Sequence, residues 1–113
     1  MGNKNDVLQG ALSLLVLKSL QYGPMNGWDI TLHIQNVSQE VLRVEEGSLY
    51  PALHRMEQQG WIRSEWGVSQ NNRRARFYRL SPAGRRQLEA EANNWRSVNK
   101  AVARVLAFES GKA

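Results

Sequence analysis

From Ser81-Pro82 onward the chain carries a helix start and, past Gly84 in the first turn, no Gly or Pro until Gly111. Ser is a favoured N-cap, and Pro is tolerated at the first helical position because its missing N–H has no intrahelical partner there. A helix from Pro82 to Phe108 would be about 40 Å long at ~1.5 Å per residue. Leu88, Trp95 and Val102 recur every seven residues, Val98 and Val105 fill a second seam, and Glu91 interrupts it, with Ala92, Asn99 and Leu106 alongside. In a chain of 113 residues a helix this long has too little domain beside it to cover that seam. Folding back on its own domain is one outcome. Pairing with the same helix of a second copy is the expected one, placing Leu88, Trp95, Val98 and Val102 in a homodimer interface.

The preceding residues divide into short elements. Asp6 opens a first helix, with Gln9 three residues later as in a capping box. Leu8, Ala11, Leu12 and Leu15 follow at helical spacing, and Leu14 and Leu17 make the helix apolar nearly all round, so it is buried or meets a second chain. Gly23 in a left-handed C′ position and Pro24 end it near Tyr22. Residues 26–37 read two ways. Trp28, Ile30, Leu32 and Ile34 alternate as in a strand, whereas Asn26 as a cap, Asp29 in the first turn, and Ile30, Ile34 and Val37 fit a helix. Residues 38–46 are a polar connector with Val41, Leu42 and Val44 inserted. Leu49, Leu53 and Met56 form a third helical stripe closed by Gly60, with Pro51 expected in the first turn or so. Ser48, Pro51, His54, Arg55 and Gln58 then face outward and Tyr50 lies on the flank. Trp61–Trp66 and Arg76–Leu80 read as two strands, joined by the turn-rich segment 67–75. A lone hairpin is marginal, so it must pack on the helices.

Charge is distributed unevenly. The 15 Lys and Arg exceed the 10 Asp and Glu, a formal net charge of +5. Arg73, Arg74, Arg76, Arg79, Arg85 and Arg86 fall in a stretch with no acid between Glu65 and Glu89. Clustered guanidinium groups attract polyanions and make planar, bidentate contacts to phosphate or guanine. Without cysteine there is no disulfide, zinc ribbon or thiolate nucleophile. No metal or cofactor is expected: His33 and His54 lack ligand spacing, and there is no Gly-rich phosphate loop. No Ser-His-acid arrangement is readable, so an enzyme is not expected. The start has no signal-peptide pattern, and the apolar run Val7–Leu17 is too short for a bilayer. The expected setting is cytoplasmic, with no membrane partner.

Helix, helix, connector, helix, hairpin with a basic loop, long helix: that order is a winged helix-turn-helix followed by a dimerisation helix. The expected fold is mainly α with a small β-hairpin, divided into a DNA-binding domain at 1–81 and the helix at 82–113. A recognition helix reads base edges through its N-terminal residues, and a wing reaches phosphate or the minor groove. Double-stranded DNA is therefore the expected partner. Arg73, Arg74 and Arg76 are assigned to the wing, and His54 and Arg55 to the outer helix face, Arg55 toward guanine or phosphate. Trp95, mid-helix on the seam, either lines an aromatic wall for a planar or cationic ligand or simply packs in the interface.

Leu42 to Glu57 (LRVEEGSLYPALHRME) resembles the recognition-helix region of PadR-family transcriptional regulators. Three other stretches agree in order: Leu14–Leu17 followed by Gly23-Pro24-Met25-Asn26-Gly27, Asn72–Leu80 (NRRARFYRL), and Ser81-Pro82-Ala83-Gly84. The resemblance runs over residues 7–108. It departs at Asn26 and Trp28, where many members carry His-Gly-Tyr. The resemblance implies a bacterial dimeric regulator, usually a repressor, of the short form with one C-terminal helix and answering to small aromatic or cationic compounds. It makes residues 26–36 a helix, and assigns Ser48, Tyr50 and Pro51, at the Leu-Tyr-Pro helix start, to DNA contact. A winged helix used only for protein binding is the competing class, since fold alone does not fix function. Structured RNA is a weaker one, as the strands lack paired aromatics of the RNA-binding type.

Overall fold

The computed structural model describes residues 4–111. In chain order the elements are α1 (Lys4–Ser19) running into a 3₁₀ turn (Leu20–Tyr22), β1 (Met25–Asn26), α2 (Gly27–Val37), α3 (Glu46–Gln58), β2 (Ile62–Val68), β3 (Arg74–Leu80) and α4 (Pro82–Ala107). The fold is mainly α with a small antiparallel sheet, as the sequence order implies.

Helix α1 is already formed at Lys4, the first described residue, ahead of the expected Asp6. The side chain of Asp6, and with it the capping box, lies outside the described residues. Gly23 closes the 3₁₀ turn at φ 145° and ψ 172°, a mirror-extended conformation reserved for glycine rather than the left-handed C′ expected. Residues 27–37 are helical. Asn26 Oδ1 accepts a hydrogen bond from Asp29 N at 2.8 Å, and Ile30 and Ile34 are buried one turn apart while Trp28 and Leu32 are exposed. The alternation that suggested a strand thus comes from a helix with one narrow buried stripe. Helix α2 ends in a Schellman arrangement, Glu40 N donating to Gln35 O and Gln39 N to Asn36 O, with Gln39 in the left-handed region.

Two further differences concern the hairpin and Pro51. Met25 and Asn26 pair with Tyr78 and Phe77, so the sheet has three strands in the order β1-β3-β2. A two-residue strand is too short to leave a period in sequence. Strands β2 and β3 run farther than expected, to Val68 and Arg74, leaving a tip of residues 69–73 in which Asn72 is left-handed and Ser69 N donates to Arg73 O. Helix α3 begins at Glu46, which puts Pro51 in its second turn. Its ring removes the bond that would reach the Gly47 carbonyl, and both residues are exposed, so water can take that role.

The core gathers Leu12, Val16, Leu17, Leu20, Ile30, Ile34, Leu49, Leu53, Met56, Ile62, Tyr78 and Leu88. Leu88 therefore packs inside its own chain, not on an open seam. Glu91, the interruption in the seven-residue pattern, accepts from Ser13 Oγ at 3.0 Å and from Gln87 Nε2 at 2.7 Å, facing α1. Farther along, α4 leaves the core: Val98 and Val102 are about half exposed, and Val105 and Leu106 are 75% and 80% exposed. None of the described residues covers them, and the fold measures 64 × 28 × 24 Å.

The root of α4 is tightly specified. Ser81 Oγ accepts from Gly84 N at 3.0 Å and donates to Gly60 O at 2.5 Å, while Ser81 N donates to Trp61 O at 3.0 Å. Gly84 lies so close to the Trp61 backbone that a Cβ there would sit 1.9 Å from the Trp61 carbonyl oxygen. Gly84→Ala should lower stability by about 1–3 kcal/mol, the range for overpacking a rigid site. Ser81→Ala should cost about 0.5–2 kcal/mol as a lost N-cap. Urea unfolding measures both, and a Gly84→Ala midpoint equal to wild type would show that the joint gives way without cost.

Candidate nucleic-acid interface

The chemistry-bearing residues converge where α3 meets the hairpin. Tyr50, His54, Glu57 and Gln58 lie at spacings of four, three and one along α3, and together with Arg76 and Tyr78 line one side of the junction. Beside it a cleft of about 790 Å³ opens between the N-terminus of α2, Tyr50 and the wing, bordered by Trp28, Trp66, Arg73, Arg74 and Arg76. Tyr50 is 46% exposed and its ring lies over Gly27, where a Cβ would come within 2.7 Å of the phenol oxygen. Glycine at the first position of α2 is what lets the two helix starts approach. Pro51, His54 and Arg55 are exposed, as the stripe implies. Ser48 and Arg55, seven residues apart, sit on the far flank of α3. Ser48 is half-buried beside Leu8 and Leu12 of α1, so the structure does not bring it to the wing.

Strand register explains the wing. Ser64 pairs with Tyr78, Trp66 with Arg76 and Val68 with Arg74, so these side chains share the face turned toward α3. The Arg74 guanidinium lies 4.4 Å from the centre of the Trp66 ring and that of Arg76 lies 5.6 Å away, both within cation–π range. Sequence reasoning singled out the arginines but not Trp66, since only the strand register places it on their face. On the reverse face Arg79 pairs with Glu65 at 3.8 Å. Among the described residues Arg73 and Arg74 make no ion pair, whereas Arg76 does, with Glu57 at 3.7 Å. Trp95 is half-buried on α4, and Leu88, as noted, belongs to the core. No cluster of acids and histidines among the described residues could hold a metal ion, and no helix there is long and apolar enough to cross a membrane.

A family model described as the transcriptional regulator PadR-like family matches residues 16–90, which span α1 to the root of α4. The chain belongs to this family. A transcriptional regulator of Mycobacterium tuberculosis is 46% identical over 54 residues, 48% of this chain and 50% of that protein. Among solved structures, a transcriptional regulator from Clostridium thermocellum superposes with a TM-score of 0.79 at 27% identity, covering 88% of this chain and 96% of that one. A PadR-like transcriptional regulator from Bacillus cereus gives 0.79 at 25% identity, covering 92% and 99%. The PadR-like chain thus shares its architecture with transcriptional regulators along most of its length.

Burial at the junction leaves one titration signature. Tyr78 is buried beneath the wing, which raises its phenol above the ordinary 10.0; the Arg76 charge opposes this, and Glu57 and Tyr50 add to it. The folded chain therefore holds that proton more tightly than the unfolded one. Its contribution to stability is intact below pH 10 and is lost as pH rises beyond it. Tyr78→Phe should flatten part of the alkaline fall in unfolding free energy; an unchanged slope between pH 9.5 and 11 would contradict burial of the phenol.

Proposed function

We propose that this PadR-like regulator is a homodimer that binds a specific double-stranded DNA operator, with residues 1–81 contacting DNA and the helix of 82–113 joining two copies. One observation carries the reading: Tyr50 of α3 and the wing arginines Arg73 and Arg74, which make no ion pair among the described residues, border the same cleft, and Tyr50 also lines the adjoining junction with His54, an arrangement that suits a helix in the major groove with a cationic wing beside it. Tyr50, Pro51, His54 and Arg55 supply the helix contacts, Ser48 contributes at the flank, and Arg73 and Arg74 supply phosphate or minor-groove contacts. The exposed apolar seam of Val98, Val102, Val105 and Leu106, continued by the half-buried Trp95, supports the second copy, since a patch of this kind is costly to leave in water. The regulator acts as a cytoplasmic repressor and is released by a small aromatic or cationic compound, with Trp95 as its stacking surface in the dimer. Such a compound acts only by binding the DNA-competent and incompetent arrangements with different affinity.

The test is titration of a duplex from the chain's own upstream region against random competitor at two salt concentrations. Binding that survives competitor and weakens steeply with salt supports the reading. Arg74→Ala should reduce the slope of log K against log salt by about one unit across sequences. Binding that the competitor removes leaves the operator unidentified, whereas no binding even at low salt points instead to a protein-interaction module. Val98→Asp with Val102→Asp should shift the sedimenting species to a monomer; an unchanged species would remove α4 as the interface.

A further inference from the structure

The three arginines that a linear reading assigns together to the wing are in different chemical situations. Arg74 stacks on Trp66 and makes no ion pair among the described residues, so its charge is available to an incoming anion. Arg76 is committed within the fold. Its Nε donates to Ser64 Oγ at 2.8 Å, and Ser64 Oγ donates in turn to Glu57 Oε2 at 2.6 Å. The Arg76 Nη2 to Glu57 Oε2 distance of 3.7 Å closes the triangle. The three residues come from β3, β2 and the last turn of α3, so the triangle links both wing strands to the helix that carries Tyr50 and His54. Glu57 is two-thirds buried and Arg76 about half exposed, so solvent screens the pair on the arginine side only. Trp66, directly across from Arg76, and Tyr78, two residues along β3, share its sheet face, with the guanidinium 5.6 Å from the centre of the Trp66 ring.

We infer that Arg76, Ser64 and Glu57 form a strut that fixes the angle between wing and recognition helix, and that Arg76 is a positioning residue and not a phosphate contact. The inference rests on the DNA-binding reading above for its consequence, but the strut itself can be measured without DNA. Glu57 neutralises Arg76, so the wing presents Arg73 and Arg74 to phosphate while Arg76 sets where they point. Ser64 is the element that makes the strut directional: its single hydroxyl donates to the acid while accepting from the guanidinium, so neither an apolar nor a charged side chain could replace it.

Two measurements test this. In duplex titrations over a salt series, Arg76→Ala and Ser64→Ala should each weaken binding about three- to tenfold with an unchanged salt slope. Their double variant should be no weaker than Arg76→Ala alone, because both remove one coupled unit. A slope that falls by about one unit in Arg76→Ala, as in Arg74→Ala, makes Arg76 a phosphate contact and overturns the inference. Additive losses, or full affinity in both single variants, overturn it as well. The second measurement uses the absence of native cysteine. Spin labels at Gln59→Cys and Asn71→Cys, in chains diluted with unlabelled protein, report the distance from helix end to wing tip. Ser64→Ala should broaden that distribution while the thermal midpoint stays within a few degrees; an unchanged distribution removes the strut. A wild type without duplex binding would defeat the functional reading alone, because the broadening would still be observed.

Discussion

The open end of the hairpin is closed by backbone, and the rest of the molecule is oriented from that joint. Gly60 and Trp61, just before β2, offer their carbonyls to Ser81, just after β3, and Gly84 lies against the same Trp61 carbonyl. One dipeptide therefore ends α3, bounds the wing and launches α4. Any side chain larger than hydrogen at 84 separates the helix from the sheet. Leu88, one turn farther on, secures the joint by entering the core, and Glu91 extends it to α1 through Ser13. Beyond that point no contact among the described residues buries the α4 residues Val98, Val102 and Val105. The stiffness of a continuous helix then carries the orientation fixed at Trp61 to the exposed seam.

Electrostatics divides the wing in a way composition does not express. Six arginines without an intervening acid look like one positive patch, but two acids from outside or at the edge of that stretch reach into it. Glu57 comes from α3 and Glu65 from β2, and each is matched to an arginine on β3. The exposed Arg79–Glu65 pair is worth little as a stabilising interaction. Its consequence is rather that, of the six, Arg73 and Arg74 keep their charge around the tip and the Trp66 ring, while Arg85 and Arg86 lie on α4.

Much of this fold was legible because its boundaries depend on local chemistry. Ser81-Pro82, Gly60 and the stripe of Leu49, Leu53 and Met56 each identify an element without knowledge of its neighbours. The segment from Gly27 to Val37 did not, because Trp28 and Leu32 remain exposed and give a helix the appearance of alternation. Strand β1 owes its existence to β3, and Leu88 its place in the core to the packing of α1 on α4. Neither can be read from its own sequence neighbourhood. At the interface the outward side chains of α3 followed from helical period, whereas the separation of Ser48 from the wing depends on how α1 crosses. The strut was missed for the same reason: Glu57 and Arg76 are nineteen residues apart, and only the strand register brings Ser64 between them.

A rigid joint at one end of α4 and an uncovered seam at the other constrain how a signal could travel in the proposed dimer. Since the helix root cannot slide past Trp61 without a backbone clash, a change in the crossing of two such helices must turn each winged domain as a body. Recognition helices in a dimer bind half-sites about 34–36 Å apart, so a small rotation at the seam is magnified along the lever to the DNA contacts. The strut has a separate part in that motion. With the wing locked to α3, the major-groove and wing contacts move together, so both lose register at once. A loose wing would keep its phosphate contacts while the helix left its groove, and release would then be partial. Tight coupling within each domain is thus what would convert a modest rearrangement at the helix pair into a decisive loss of operator affinity.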